Sequence, residues 1–203
     1  VGHPLASKIP LNPSVKKGRN KLHLDKSKTI IALLPGSRLS EIKDHLSLMI
    51  NTTILINKEL SWRKLKRAEF LIPLSSKENY LYMSNLLHSY NNKIKNINII
   101  IGHSHDVICS ANMVITASGT ATLEAALYKK PMIIVYKTSL LSWLLLKRML
   151  LIPYIGLPNI LLNRFVVPEF LQNNATPEKI SEKAVEILTD KKLQKDLNIK
   201  FKE

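Results

Sequence analysis

"TIIALLPGSRLSEI" (Thr29–Ile42) packs three readings into fourteen residues. Thr29 to Leu34 is a continuously apolar run rich in β-branched residues, as expected of a strand buried on both faces. It stops at Pro35-Gly36-Ser37-Arg38. Beyond that turn Ile42, Leu46, Met49, Ile50, Thr53 and Leu60 recur at helical spacing. A buried strand, a tight polar turn and an amphipathic helix together open a β-α-β unit, and the rest of the chain can be tested against that pattern.

The pattern repeats. "AEFLIPL" (68–74) reads as a second strand with Pro73 at its end, and Tyr80, Met83, Leu87 and Tyr90 mark one face of a second helix. "INIII" (97–101), ended by Gly102, is a third strand, followed by a short helical piece around Val107 to Ala111. "MVITA" (113–117) is a fourth, leading into a helix from about Thr120 to Lys129; Pro131 stops it before a fifth strand, "MIIVY" (132–136). Strand–helix alternation through five cycles predicts an α/β fold, a Rossmann-like parallel sheet with helices on both faces and right-handed crossovers. In such sheets ligands bind beyond the carboxyl ends of the strands. After 137 the pattern turns helical over 139–151, passes through irregular "IPYIGLPN", and becomes helical again over 176–203, where Thr176-Pro177 supplies an N-cap and a Pro at N1. Residues 1–28, with three prolines, Gly18 and the cations Lys16, Lys17, Arg19 and Lys21, read as a linker without a packed element. The expected division is therefore 1–28 linker, 29–175 Rossmann-like domain and 176–203 C-terminal helices.

Two strand-to-helix turns carry candidate chemistry, both on the expected carboxyl edge. At Gly36-Ser37-Arg38, glycine admits close backbone approach, helix-start amides favour an anion, and arginine can grip a phosphate with two parallel hydrogen bonds. A plain tight turn with a solvent-facing arginine accounts for the same residues. At "ASGTATLEAAL" (117–127), Ser118, Gly119 and Thr120 again gather small residues and hydroxyls where a helix starts. Glu124 is expected in that helix's first turn, where it either complements the helix dipole or accepts hydrogen bonds from a ribose diol. Taken together the two turns outline a nucleoside-diphosphate site. There is no G-x-G-x-x-G and no G-x-x-x-x-G-K-[ST], which ranks dinucleotide dehydrogenases and P-loop nucleotidases low.

Composition sets the frame. The 203 residues carry 30 Lys and Arg against 15 Asp and Glu, a formal net charge of +15, which favours anionic partners: nucleic acid, phosphorylated substrates or an anionic membrane face. The basic residues are scattered with few aromatics among them, against a nucleic-acid groove. The single Cys109 excludes a disulfide framework or a cysteine-based zinc site. No signal-peptide pattern opens the chain, Val1 is expected to be a cut edge of a longer protein, and no run reaches the length of a membrane span.

With those residues in view, the chain resembles lipid-A-disaccharide synthase, a family of GT-B glycosyltransferases. The resemblance rests on "VGHPLA" (1–6), "LLPGSR…EI" (33–42), "SGTATLEAAL" (118–127), "PMIIVYK" (131–137), "LPNILL" (157–162) and "VPEFLQ" (167–172), in the family's order along nearly the whole chain. It implies the C-terminal, donor-binding half of a GT-B fold, with the acceptor domain and the catalytic base in a missing N-terminal half. It further implies inverting transfer of 2,3-diacylglucosamine from UDP-2,3-diacylglucosamine to lipid X, giving the β-1,6 lipid A disaccharide and UDP. Neither cofactor nor metal is implied, and no carboxylate pair of the DxD kind is present. The partners implied are the two lipid substrates, the cytoplasmic inner-membrane surface and a homodimer through the C-terminal helices, with no nucleic acid.

On this resemblance Gly36, Ser37 and Arg38 hold the diphosphate, Ser118, Gly119 and Thr120 support it, Glu124 takes the ribose, and the backbone from Gly102 to Asp106 reads uracil. Asn159 of "LPN" joins Arg38 as a catalytic residue, although a turn-forming role accounts for it equally. Glu169 and Gln172 line the cleft, or simply belong to a helix start after Pro168. Asn112 stands where the family pattern has Asp. The segment around Trp143, Lys147 and Arg148 suits either interfacial membrane contact or burial. Another GT-B transferase or epimerase, and a non-catalytic basic module binding nucleic acid or membrane, are the competing readings.

Overall fold

The computed structural model describes residues 9–10, 13–74, 77–90, 94, 96–139, 142–144, 148 and 153–201. Five strands form where the apolar runs predict them: β1 (Ile30–Leu34), β2 (Glu69–Leu74), β3 (Ile97–Ile101), β4 (Met113–Ala117) and β5 (Met132–Tyr136). A sixth, β6 (Glu169–Leu171), has three residues and no fully buried one, too short to show any period. The sheet is wholly parallel in the order β3-β2-β1-β4-β5-β6. The chain reverses its direction of travel across the sheet between β1 and β4, so a crevice opens there at the carboxyl edge.

Alternate residues of β1 feed two cores. Ile31 and Leu33 pack with α2 (Leu39–Trp62) and α3 (Tyr80–Ser89) on one face. Ile30, Ala32 and Leu34 pack with α4 (Ser104–Ser110) and α5 (Thr120–Leu127) on the other. Every residue of β1 and β4 is buried, which is why both read as continuous rather than alternating apolar runs.

The linker and the "LPN" stretch depart from the sequence reading. The linker segment carries a packed helix, α1 (Val15–Lys21), N-capped by Ser14. Gly18 lets α1 approach α4 so closely that an added Cβ would sit 3.1 Å from the Asp106 carbonyl. Beside it the buried Arg19 guanidinium donates to Ser110 O, Lys26 O and Asn112 Oδ1. The irregular "LPN" stretch forms α6 (Leu157–Leu161). The long C-terminal stretch is two helices, α7 (Pro177–Thr189) and α8 (Lys191–Lys200), because Asp190 ends the first and N-caps the second. Thr176 caps α7 as expected. The apolar stripes of these helices are spent inside the domain: Ile180, Ala184, Val185 and Ile187 enter the first core and Leu197 the second. The expected helix over 139–151 lies largely outside the described residues.

Candidate functional site

A cavity of about 330 Å³ lies at the carboxyl edge, at the point where the strand order reverses. Its lining includes Gly36, Ser37, Arg38 and Glu41 from the β1–α2 turn. Ser118, Gly119, Thr120, Ala121 and Glu124 come from the β4–α5 turn, and Ser104 from the β3–α4 turn. The sheet thus brings together both turns singled out in the sequence. A groove of similar size, about 360 Å³, runs beside Asn57, Arg67 and Asn96, but it faces the amino edge and has no helix start in its wall.

The β4–α5 turn is the open half of the cavity. Gly119, the N-cap of α5, has φ +154° and nothing within 4 Å of the place a Cβ would occupy, so a ligand can reach its backbone. The first amides of α5 have no intrahelical partner by geometry and face the same space. Thr120, Ala121 and Glu124 share that face of the helix. Ser118 has a different task from the one expected. Its hydroxyl donates to Ile155 O at 2.8 Å and its amide to Val135 O, so it ties the 153–156 segment over the start of α5. Glu124 is the fifth residue of α5 and so sits in the second turn, not the first. Its Oε2 lies 3.8 Å from His105 Nε2, and it is placed by the helix face rather than by the helix dipole.

The β1–α2 turn is already filled. Ser37 N and Arg38 N donate to Glu41 Oε2 at 2.9 and 3.2 Å, so the amides expected to cradle phosphate are held by the protein's own carboxylate. Gly36 makes this possible. At φ +125° it leaves room that a Cβ would take from Glu41, 2.4 Å from its Cβ and 2.6 Å from Oε2. Arg38 remains outward, its side chain 83% exposed and 3.9 Å from Glu41 Oε1, a weak contact that leaves the guanidinium available at the cavity mouth. Glu41 and Ala121 are lining residues that the sequence reading missed. The Glu41 signal was an acidic residue three positions after the N-cap, a helix-start pattern readable in principle.

One turn further along α2, the buried His45 fixes this turn to β5. Its Nδ1 donates to Glu41 O at 2.7 Å, and its Nε2 accepts from Lys137 N at 3.0 Å. That pairing requires the neutral ring with its proton on Nδ1. Burial lowers the His45 pKa, although the backbone hydrogen bond to Glu41 works the other way.

The β3–α4 turn reaches the cavity only in part. Gly102 and His103 both take positive φ, +71° and +54°, and Ser104 lines the cavity. Asp106 is engaged elsewhere, 2.6 Å from Lys21 Nζ and 3.0 Å from His103 Nδ1. Burial pushes the Asp106 carboxyl up, but hydrogen bonds from Lys21 and His103 outweigh it and hold it below its ordinary value.

Asn159 and Glu169 meet each other rather than the cavity. Asn159 is fully buried. Its amide nitrogen donates to Val167 O and Glu169 Oε1 at 2.8 and 2.7 Å, and its oxygen accepts from Val166 N and Val167 N at 2.7 and 2.9 Å. Every polar position it has is used, so the side chain orders the loop and, as placed, has no group left for a reacting atom. Glu169 accepts from Ile155 N and Gly156 N, both at 3.0 Å, and so caps α6. Gln172, at φ +48°, accepts from Thr138 N at 3.5 Å, and its buried Nε2 has no partner. It lines a separate hollow with Trp143, Pro153 and Phe165. Asn112 lies at the opposite, amino end of β4, where Oδ1 accepts from Arg19 Nη2 and Ile30 N. The missing family carboxylate is therefore remote from the cavity.

Comparison with known proteins agrees with this architecture. Among solved structures, the glycosyltransferase WaaG of lipopolysaccharide biosynthesis superposes with TM-score 0.65 at 11% identity, covering 98% of this chain and 48% of that one. The E. coli ADP-heptose lps heptosyltransferase II superposes with TM-score 0.58 at 13% identity, covering 86% and 50%. Both are likenesses of fold, that of GT-B glycosyltransferases. By sequence, the lipid-A-disaccharide synthase of Methylobacillus flagellatus is 43% identical over 202 residues, covering 100% of this chain and 52% of the relative. That of Dechloromonas aromatica is 45% identical over 193 residues, covering 94% and 49%. The chain spans about half the length of these curated relatives. The lipid-A-disaccharide synthetase family profile matches residues 1–203, the whole of this chain, and the chain belongs to that family.

Proposed function

We propose that this chain is the donor-binding portion of a lipid-A-disaccharide synthase, holding UDP-2,3-diacylglucosamine while its sugar is transferred to lipid X. The observation that carries the reading is an exposed arginine, Arg38, only weakly paired to Glu41, at the mouth of a cavity whose wall is the open start of α5, in a chain of this family. In an inverting displacement at the anomeric carbon, negative charge grows on the β-phosphate of the leaving UDP. Fixed donors aimed at that charge lower the barrier. Here those donors are the Gly119, Thr120 and Ala121 amides and the Arg38 guanidinium, with Glu124 placed to accept from the ribose hydroxyls. Because Glu41 occupies the Ser37 and Arg38 amides, the diphosphate rests on α5 and is met by the Arg38 side chain alone.

In this reading α1 and the segment around it lead toward an acceptor-binding half that supplies the general base, residues 29–175 bind the donor, and 176–203 buttress them. A homodimer would use the outer faces of α7 and α8, because their apolar faces are already packed. The expected place of work is the cytoplasmic face of the inner membrane. Among the described residues no helix is long and apolar enough to cross a membrane.

Titration of the chain with UDP, monitored by calorimetry, tests the reading. UDP is expected to bind and Arg38→Ala to weaken it by about 10- to 100-fold, the worth of one charge-assisted hydrogen-bonded pair. UDP binding no tighter than sulfate, or unchanged by Arg38→Ala, would remove the donor site.

A further inference from the structure

The apolar stripe of α2 has one break near the cavity. Ile42, Leu46 and Met49 are fully buried in the first core, and His45, only 3% exposed, stands among them. Burying an imidazole carries a desolvation cost that an aliphatic side chain in its place would avoid. The ring meets that cost with two polar contacts, each on a different element. Nδ1 donates to the Glu41 carbonyl in the first turn of α2, and Nε2 accepts from the Lys137 amide just beyond the end of β5.

The two contacts lead to opposite flanks of the site. Glu41 is the residue whose carboxylate holds the Ser37 and Arg38 amides, so fixing its backbone fixes the base from which Arg38 reaches the cavity mouth. On the other side Thr138 N, next to Lys137, donates to Gln172 Oε1 at 3.5 Å. One buried ring therefore spans from the turn that carries Arg38 to the segment that runs toward Gln172.

This bridge exists in one protonation state. A second proton, on Nε2, would face the Lys137 N–H, leaving two donors 3.0 Å apart, so that the ring must turn or the two elements part. The charged groups facing the ring are Glu41 and Asp44 of its own helix. Both favour the second proton, as do the Glu41 and Pro35 carbonyls, but burial outweighs them and lowers the pKa. From β5 the ring meets the Tyr136 phenol ring, 6.1 Å away between centroids, and the Lys137 backbone.

We propose that His45 is a positioning residue for the nucleotide donor: the neutral imidazole keeps the Arg38 turn in register with the end of β5, and its protonation loosens the hold of Arg38 on the diphosphate. The inference rests on the reading of the cavity as a UDP site. The grip on UDP is complete while His45 is neutral and declines as the pH falls through its pKa, below the ordinary value of 6.5. By linkage, bound UDP resists protonation of the ring by the same factor.

UDP affinity measured by calorimetry from pH 7.5 to 5.0 tests this in the parent chain and in His45→Gln, whose amide takes up no proton in that range. The terminal phosphate of UDP titrates in the same window, and His103 and His105 stand near the site. All three are common to both chains, so the ratio of the two affinities isolates His45. The parent is expected to lose about 5-fold more affinity than His45→Gln, the worth of one hydrogen bond. In the parent alone, the NMR titration midpoint of the His45 ring is expected to lie lower with saturating UDP than without, by the same factor. Parallel affinity profiles, or a midpoint that UDP leaves in place, would overturn this inference and leave the donor site standing. UDP binding no tighter than sulfate at pH 7.5 would remove the donor site and this inference with it. If His45→Gln loses its fold by circular dichroism, the midpoint in the parent decides.

Discussion

Glu41 shows how one side chain can reassign a whole turn. By sequence the Pro35–Arg38 turn is an anion cradle, and in the structure it does hold an anion, the carboxylate three residues into α2. The consequence is a division of labour in which Arg38 is free to act because Glu41 keeps the backbone beneath it fixed. Glu41→Ala leaves two amides without partners and is expected to cost about 1 kcal/mol in urea unfolding, the usual worth of a helix N-cap contact. Removing the carboxylate also empties the cradle. Inorganic phosphate should therefore restore stability to Glu41→Ala while leaving the parent chain's midpoint unmoved. A midpoint that phosphate moves equally in both chains would mean that the cradle was never the seat of the effect.

At the scale of elements, α6 and β6 are tied to each other as well as to their neighbours, β6 pairing with β5 at the edge of the sheet. Neither a five-residue helix nor a three-residue edge strand is stable alone, and the Asn159–Glu169 knot joins them. Asn159→Ala strands the Val166 and Val167 amides in a buried position and should destabilise the chain by about 3 kcal/mol. Asn159→Asp should be worse, since it sets a second carboxylate against Glu169. An Asn159→Ala chain as stable as the parent would release Asn159 from this structural duty and return it to the cleft. The same scale explains what was legible in the sequence. Five strands announced themselves because strands buried on both faces must be continuously apolar. β6 did not, because three half-buried residues carry no period. α1 was hidden because its contacts are made by a glycine and an arginine, residues that read as linker until Gly18 is seen against α4 and Arg19 among carbonyls. The two site turns were legible from their glycines and hydroxyls, but which amides were occupied was not, since that depended on a side chain folding back from the next turn of helix. Asn159 had two readings in the sequence, chemistry by the family resemblance and a turn former after Leu-Pro, and its four hydrogen bonds favour an architectural role.

Across the whole molecule, buried bases set the pH response. Lys130 is 6% exposed, donates to Ala111 O at 2.8 Å, and has its pKa brought down to about 8, chiefly by burial and further by Arg19. Its ordinary value is 10.5, so between pH 8 and 10.5 the unfolded chain binds more protons than the folded one, and stability rises with pH. His45 has the same sign in a lower window, its contribution being present above its ordinary value of 6.5 and lost as the pH falls below it. Two neighbours of Lys130 oppose the alkaline rise: burial pushes the Cys109 thiol above 9.0 and the Tyr128 phenol from 10.0 up to about 12, and both favour unfolding as the pH climbs past those ordinary values. The Lys130 contribution is therefore read as a difference. Between pH 7.5 and 10.5 the stability of the parent chain minus that of Lys130→Met should increase by about 3 kcal/mol in urea unfolding, from about 1.36 kcal/mol for each unit of displaced pKa. Tyr128 is common to both chains and cancels in first order, and Cys109, whose thiolate charge couples to Lys130, is replaced by Ser in both. A flat difference would mean that Lys130 reaches water through a path the packed amino edge does not contain, and its apparent burial would count for nothing in the energetics of the fold.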